Sequence, residues 1–336
     1  MDLCQFPRRR YTAYNTPIEK LENLSALFSG PTIYCKRDDL LGLAGGGNKT
    51  RKLEFLMADA LAQGADTVIT CGAVQSNHCR LTLAAAKKEK LSCQLVLEQR
   101  VPGSYNREAN GNNLLFGLLG VEEVHVVEGG SDVMGKMEAV AEGLRQKGRK
   151  PYVIPGGGSN AIGGLGYVLC AQEMMQQLLE MGLRIDAVIC TSGSAGTHAG
   201  MLTGLVGNNV NIPLIGIGIN RKKDAQRTAV YELSRKLAEK LGLNEAPSMD
   251  DVIVFDGYIG EGYSRVTEGM LEAVTLVART ESILLDPVYT GKTMAGMIDL
   301  LRTGYFSNMK NILFLHTGGA PAIYAYAETF LSEQSK

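Results

Sequence analysis

A lysine stands at the exit of a glycine run, in the sequence Gly45-Gly46-Gly47-Asn48-Lys49. Glycines let the backbone pass close to a flat ligand, because they carry no side chain and tolerate positive φ. A lysine amine forms a reversible Schiff base with a carbonyl compound. The stretch therefore suits a covalent ligand site, although by itself it suits a glycine-rich turn with a solvated lysine equally well.

A second candidate site is the small-residue segment 192–197, Ser-Gly-Ser-Ala-Gly-Thr, which lies between a predicted strand over 187–190 and a helix that begins near Thr197. Free N–H groups at a helix N-terminus bind phosphate, and hydroxyl groups add donors. The segment matches neither the G-x-G-x-x-G dinucleotide loop nor the G-x-x-x-x-G-K-[ST] triphosphate loop. A generic turn between strand and helix is the alternative interpretation.

Gly291-Lys292-Thr293 is similar to the end of a nucleoside-triphosphate loop. Such a loop requires a glycine at position 286, where this chain has Asp286. Because a carboxylate at that position would repel phosphate, we reject an ATP-binding loop and assign Lys292 to the first turn of a helix.

Polar residues also follow two other predicted strands. Gln75-Ser76-Asn77-His78 comes after one of them and Thr317 after the other. In open parallel sheets this carboxyl-terminal edge is where ligands bind. The alternatives are plain N-capping by Ser76 or Asn77 and a buried strand-end threonine.

The overall charge argues against nucleic acid or an anionic membrane as the main partner. Lys plus Arg number 34 against 35 for Asp plus Glu, so the net charge is −1 and there is no basic footprint for nucleic acid or an anionic membrane. No apolar run approaches the roughly 20 residues of a membrane span. Arg8-Arg9-Arg10 is not followed by the apolar stretch of a signal peptide, so we expect a cytoplasmic protein.

Cysteines and histidines show no metal-binding pattern. The seven cysteines form an odd set without a C-x-x-C pair, and the four histidines show no H-E-x-x-H spacing. Several cysteines lie in apolar surroundings, which predicts reduced and buried thiols. We expect no catalytic metal.

Short β-branched runs alternate with helical patterns along most of the chain, which predicts an α/β fold with parallel sheets flanked by helices. The 336 residues suggest two domains. The predicted strands cover residues 67–71, 94–97, 124–127, 152–154, 187–190, 214–219, 252–254 and 312–316. Helices are predicted over 111–119 and 133–146, after Lys49, and near residues 76, 197, 224, 267, 292 and 321.

The helix after Lys49 shows a clear apolar stripe, and its C-terminal glycine is Gly64. The glycine-rich stretch over 155–166 is the best candidate boundary between two lobes. The stripe consists of Leu53, Leu56, Met57, Ala60 and Leu61.

Taken together, these motifs resemble those of the D-cysteine desulfhydrase and 1-aminocyclopropane-1-carboxylate deaminase family. These are pyridoxal-phosphate enzymes with the two-lobed tryptophan-synthase β-like fold (fold type II). The resemblance covers essentially the whole chain and implies a homodimer. It also implies a large domain of residues 1–50 plus 162–336, with a small domain of residues 51–161 inserted into it. The matching segments are 46–54, 75–78, 193–197, 285–292 and 316–321.

The resemblance implies a role for each motif. Lys49 would bind the cofactor covalently, beside Asn48, and carry the substrate's α-proton. The cofactor's phosphate would bind at the loop, with charge from Lys52, and its phenolic oxygen at Asn77. The loop residues are Gly193, Ser194, Ala195, Gly196 and Thr197. The substrate would contact Ser76 at its carboxylate and also Asn77, His78, Gly158, Tyr263 and Tyr289.

Two threonines indicate the branch of the family. The cyclopropane deaminases carry a glutamate where this chain has Thr290 and a leucine where it has Thr317. A carboxylate keeps the pyridine nitrogen of the cofactor protonated, whereas a threonine offers only a neutral hydrogen bond and a weaker electron sink. That suffices for β-elimination with a sulfur leaving group, so the expected activity is that of a carbon–sulfur lyase acting on D-cysteine.

Three alternatives stay open at this point. Segments 129–132, 155–160 and 262–270 are more similar to the L-cysteate sulfo-lyase branch. The cyclopropane deaminase is a further rival within the enzymes. A non-catalytic ligand-binding homologue is the rival from another class, and the presence of Lys49, Ser76 and Tyr289 argues against it.

Overall fold

The computed structural model describes residues 1–334 and contains two separate sheets flanked by helices. The strands are β1 Ile18–Lys20, β2 Thr32–Lys36, β3 Thr67–Ala73, β4 Ser92–Gln99, β5 Glu123–Glu128, β6 Pro151–Ile154, β7 Ala187–Ser192, β8 Leu214–Gly218, β9 Ile253–Phe255 and β10 Asn311–Leu315. The α-helices are α1 Glu22–Ala26, α2 Lys49–Ala62, α3 Asn77–Lys88, α4 Asn112–Leu118, α5 Val133–Gln146, α6 Ala161–Glu180, α7 Gly196–Val206, α8 Lys223–Leu241, α9 Glu268–Glu281, α10 Thr290–Arg302 and α11 Ala327–Gln334.

The larger sheet has the order β1-β2-β10-β7-β8-β9, and the smaller one has the order β5-β4-β3-β6. All neighbouring strands are parallel except the edge pair β1 and β2. The predicted α/β class is therefore confirmed. Residues 67–154 form the whole of the smaller sheet, whereas both ends of the chain contribute to the larger one. The exact domain boundaries stay a prediction.

Each sheet buries apolar side chains on both faces. One face of the larger sheet packs against α6, α7 and α8, and the other against α1, α9 and α10. The smaller sheet lies between α2 and α3 on one face and α5 on the other. Such double coverage explains why the strands are nearly continuous apolar runs, with β7 wholly buried along its length.

Every predicted strand is present, with its ends within two residues of the predicted ones, but the prediction missed β1, β2, α1 and α6. The prediction missed α6 because it assigned Gly163, Gly164 and Gly166 to a candidate boundary between two lobes, whereas they lie in the first two turns of that helix. A Cβ atom on Gly166 would lie 2.3 Å from the carbonyl oxygen of Arg51. These glycines therefore permit close packing of helices.

A buried charge network joins the larger sheet to α2 and α6. The Glu173 carboxylate on α6 accepts hydrogen bonds from Lys36 Nζ and from Arg51 NH1, at 2.5 and 2.7 Å. Arg51 also pairs with Asp38, at 2.8 Å between Nε and Oδ2. Burial alone would raise the pKa of Glu173, but the hydrogen bond and charge of Arg51 and the charge of Lys36 lower it.

We expect Glu173→Gln to lower the free energy of unfolding by about 2 kcal/mol. The loss stays below that for a fully stranded charge because Arg51 keeps Asp38, and because Lys36, which loses its carboxylate, still donates to the Thr16 carbonyl and Gln177 Oε1. A carboxylate with a lowered pKa stabilises the fold above its unfolded-state pKa and loses that contribution as the pH falls through its folded-state pKa. Urea unfolding of both proteins between pH 7 and pH 3 should therefore show the gap closing in acid.

Glu180→Gln is the matched control, because Glu180 lies on the same helix but is exposed. Equal losses for the two variants, or a gap that persists in acid, would contradict this role of the network.

Candidate active site

The turn before α2 places Lys49 near the carboxyl-terminal ends of β7 and β10. Residues 43–47 all have positive φ, from 30° to 126°. A Cβ atom on Gly46 would lie 1.9 Å from the carbonyl oxygen of Asp39, so only glycine fits there. The glycine run before Lys49 is therefore a tightly packed turn that ends at the first residue of α2.

Lys49 lies in a cavity between the two sheets and is half-buried. Lys49 Nζ donates to Asn48 Oδ1 at 3.0 Å, and Asn48 Nδ2 donates to Thr197 Oγ1 at 2.9 Å. Burial lowers the pKa of Lys49 to about 8, with the charge of Asp286 acting in the opposite direction. A lysine with this pKa is a ready nucleophile near neutral pH. The cavity is lined by Asn48, Lys49, Asn77, His78, Thr191, Gly193, Ser194, Ala195, Thr197, Tyr289, Thr317 and Gly318.

The small-residue loop follows β7 and opens α7, as predicted. Ala195 has φ +70°, which turns the chain into the helix. Ser159 supports the loop from outside, since its hydroxyl donates to Ser194 Oγ at 2.9 Å and accepts from the Gly196 N–H at 3.3 Å. The free N–H groups of the first turn of α7 make this end of the cavity a site for an anion.

Lys52 places a buried amine behind this loop. Lys52 is wholly buried, and its amine donates to the Gly157 carbonyl at 3.0 Å and to Ser159 Oγ at 3.3 Å. A Cβ atom on Gly196 would lie 2.7 Å from Lys52 Nζ, so the amine touches the start of α7. Because no carboxylate of the described residues pairs with it, the amine is free to complement a bound anion.

Asn77 is held by its carbonyl oxygen. Oδ1 accepts from Arg80 NH1 at 3.0 Å and from Asn112 Nδ2 at 2.9 Å. These two hydrogen bonds fix the orientation of the side-chain amide. Its NH2 group is therefore the donor that remains available at the cavity wall.

A second cavity adjoins the first and shares Lys49, His78, Gly193, Ser194 and Tyr289 with it. Ser76 is part of its wall and also N-caps α3, because Ser76 Oγ accepts from the Cys79 N–H at 3.1 Å. Capping and a ligand contact are therefore compatible at this residue.

Two tyrosines form part of the wall of the second cavity. The phenol groups of Tyr263 and Tyr289 are hydrogen-bonded to each other, and their rings meet edge to face with centroids 5.9 Å apart. Burial raises the pKa of both phenols, so both are neutral donors at physiological pH. The Lys292 amine donates to the carbonyls of Ile259 and Gly262 at 2.6 and 2.9 Å, which ties the loop carrying Tyr263 to α10.

Comparison with known proteins matches this site and fold to one family. Residues 10–318 match the family described as pyridoxal-phosphate dependent enzyme. The chain belongs to this family. It is 47% identical to the D-cysteine desulfhydrase of Yersinia enterocolitica, over 96% of this chain and 97% of that one. It is 44% identical to the D-cysteine desulfhydrase of Serratia proteamaculans over the same shares.

Solved structures agree with the family. The crystal structure of an ACC deaminase homologue superposes with a TM-score of 0.90 at 39% identity, over 98% of this chain and 97% of that one. A fungal L-serine ammonia-lyase from Rhizomucor miehei matches the fold with a TM-score of 0.65 at 18% identity, over 95% of this chain and 98% of that one. The predicted pyridoxal-phosphate cofactor and fold type II are thus confirmed.

The residues present fit pyridoxal phosphate. The buried amine of Lys52, which pairs with no carboxylate of the described residues, and the N-terminus of α7 suit its phosphate, and the Asn77 NH2 group suits its phenolic oxygen. Lys49 supplies the amine on the cavity wall for its aldehyde. Thr317 lines the same cavity and offers a neutral hydroxyl for its pyridine nitrogen.

Three predicted contact residues are engaged elsewhere. Thr290 lines neither cavity, and its hydroxyl donates to Asp286 Oδ1 at 2.8 Å. Gly158 also lies outside both walls, packed against His78 and the stem of Lys52. His78 does line both cavities, but Nε2 and Nδ1 of its ring are 2.8 and 3.5 Å from the hydroxyls of Thr70 and Thr82. Burial lowers the pKa of His78 well below its ordinary value, so this ring is neutral.

Sequence reasoning missed several residues of the site. Arg100, Asn220 and Arg221 line the second cavity, and Thr191 lines the first. Arg100 follows β4 directly, and Asn220 and Arg221 follow β8 within three residues. The rule that identified Ser76, that ligands bind where parallel strands end, applies to these positions as well.

No helix among residues 1–334 is both long and apolar enough to cross a membrane. The thiols of the described residues are all free, and six of the seven are buried, as predicted.

Proposed function

We propose that this enzyme is a carbon–sulfur lyase that converts D-cysteine and water to pyruvate, ammonia and hydrogen sulfide. Its similarity to D-cysteine desulfhydrases over nearly the whole chain supports this assignment. When bound, pyridoxal phosphate withdraws electrons from the α-carbon of an amino acid.

The choice of β-elimination over cyclopropane opening rests on the polar groups of the first cavity. No carboxylate lines the first cavity in the described part of the chain, whereas Thr317, which follows β10, does line it with a neutral hydroxyl. Asp286 lies close, but its two oxygens accept from the Thr290 and Val288 N–H groups at 2.8 and 3.0 Å. Without a carboxylate partner the cofactor is a modest electron sink, which favours a substrate with a good leaving group.

Each wall residue has a chemical role in this proposal. The Ser76 hydroxyl and the N-terminus of α3 bind the substrate carboxylate. The Lys49 amine removes the α-proton, for which a pKa of about 8 is well matched. The phenol pair of Tyr263 and Tyr289 covers the substrate and donates to the departing sulfur.

The test is a product assay in which the holoenzyme receives D-cysteine, L-cysteine, L-cysteate and 1-aminocyclopropane-1-carboxylate separately. We expect sulfide and pyruvate, with the highest kcat/KM for D-cysteine. Sulfite from L-cysteate as the main product would make the enzyme a sulfo-lyase, and 2-oxobutyrate would make it a cyclopropane deaminase. Absence of any product would favour the non-catalytic homologue. The homodimer and the cytoplasmic location stay predictions.

A further inference from the structure

The second cavity carries an excess of positive charge. The ionisable side chains on its wall, apart from thiols, phenols and the neutral imidazole of His78, are Lys49, Arg100, Arg221 and Glu98. Once Lys49 holds the cofactor, Arg100 and Arg221 remain as two cations beside one carboxylate among the described residues. An amino acid substrate brings one carboxylate, which Ser76 and the N-terminus of α3 are placed to receive. A positive group is then left over for a second negative charge on the substrate.

Arg100 is the cation best placed for that role. It follows β4 just as the segment with Ser76 follows β3, and these strands are neighbours with Ala73 opposite Glu98. Arg100 Nε donates to Glu98 Oε2 at 2.7 Å, and its guanidinium carbon lies 4.3 Å from the centre of the Tyr263 ring. This holds the guanidinium plane and leaves its two terminal NH2 groups without a protein partner in the described part of the chain.

Arg221 has a different task. Its NH1 donates to the Gly193 carbonyl at 2.9 Å and to Gln226 Oε1 at 3.2 Å, so it supports the start of the phosphate loop. Arg100, in contrast, lies over the ring of Tyr263 on the wall of this cavity.

We propose that Arg100 binds the β-substituent of the substrate and selects amino acids whose sulfur group is anionic, a thiolate or a sulfonate. The inference rests on the proposed function, since it names the part of the substrate that this residue recognises. When the carbon–sulfur bond breaks, the electron pair stays on the sulfur group, and the guanidinium accommodates the negative charge of the departing thiolate or sulfite.

The experiment compares sulfur substrates with a neutral one in the holoenzyme. D-cysteine and L-cysteate supply the thiolate and the sulfonate, and β-chloroalanine of the matching configuration supplies a good leaving group that is neutral before cleavage. The variants are Arg100→Gln and the charge-preserving Arg100→Lys. Arg107→Gln is the matched control, because Arg107 is exposed on the loop that follows. Pyruvate release gives kcat/KM, and the absorbance of the bound cofactor checks folding.

We expect Arg100→Gln to lower kcat/KM for the better sulfur substrate by about tenfold or more, with β-chloroalanine changed by less than about threefold. Arg100→Lys should recover part of the loss. An equal loss for β-chloroalanine would mean that Arg100 binds the α-carboxylate or merely supports the wall, and no loss would mean that it binds nothing. Either result overturns the inference and leaves the proposed function standing. If the wild-type enzyme forms no pyruvate from any of these compounds, the proposed function fails and the inference fails with it.

Discussion

Turnover should fall by more than about 10⁴-fold when Lys49 is replaced by alanine, because positioned proton transfer alone contributes about 10²- to 10⁴-fold. The variant also loses the amine that attaches the cofactor. Lys49 is the only lysine on the wall of either site cavity in the described structure, so no neighbouring amine can take its place. Lys52 is directed instead to the Gly157 carbonyl and Ser159.

The measurement is pyruvate formation together with mass spectrometry after borohydride reduction. In the wild-type enzyme the mass of the reduced cofactor should appear on the peptide that contains Lys49. Lys136→Ala, which removes an exposed lysine of α5, is the control and should keep full activity. A cofactor label on another residue, or turnover by the alanine variant, would exclude Lys49 as the reactive amine.

Local pattern was sufficient to predict the strands that carry the site. β3, β7 and β10 are short, β-branched and followed by small or polar residues, so both their presence and the location of their carboxyl ends could be predicted. The turn at Gly45–Gly47 was predictable for a similar reason, since consecutive glycines before a helix indicate positive φ and close approach.

The rest depended on contacts that no local pattern encodes. From the sequence alone, the glycines at the start of α6 are typical of a boundary between lobes. Their role in helix packing depends on the Arg51 carbonyl, which lies against Gly166. Thr290 comes directly after Tyr289, yet the first turn of α10 directs its hydroxyl to Asp286. Arg100 was missed because a lone arginine after a strand is normally solvated. Its guanidinium lies over the ring of Tyr263, which is far away in the sequence, so no local pattern indicates this contact.

Lys52 shows how the site prefers a bound anion. Burial, together with the charge of Lys49, lowers the pKa of Lys52 well below its ordinary value, so the cofactor-free fold disfavours the charged amine. A lysine with a lowered pKa destabilises the fold at every pH below its unfolded-state pKa of about 10.4, and this cost disappears above it. A phosphate group at the start of α7 would reverse the preference, so cofactor binding should take up a proton.

Replacing Lys52 with methionine should therefore change two properties in opposite directions. We expect the affinity for pyridoxal phosphate to fall by about 100- to 1000-fold, equivalent to about 3–4 kcal/mol, because the phosphate loses a buried cation. The cofactor-free protein should instead be more stable by about 1 kcal/mol or more at neutral pH, and the gain should vanish above pH 10. Cofactor titration by absorbance and urea unfolding of the cofactor-free protein measure the two effects.

The control is Lys88→Met, which changes an exposed residue of α3 and should alter neither the cofactor affinity nor the stability. A cofactor-free variant less stable than the wild type would mean that Lys52 supports the fold through Gly157 and Ser159, not the cofactor through its charge.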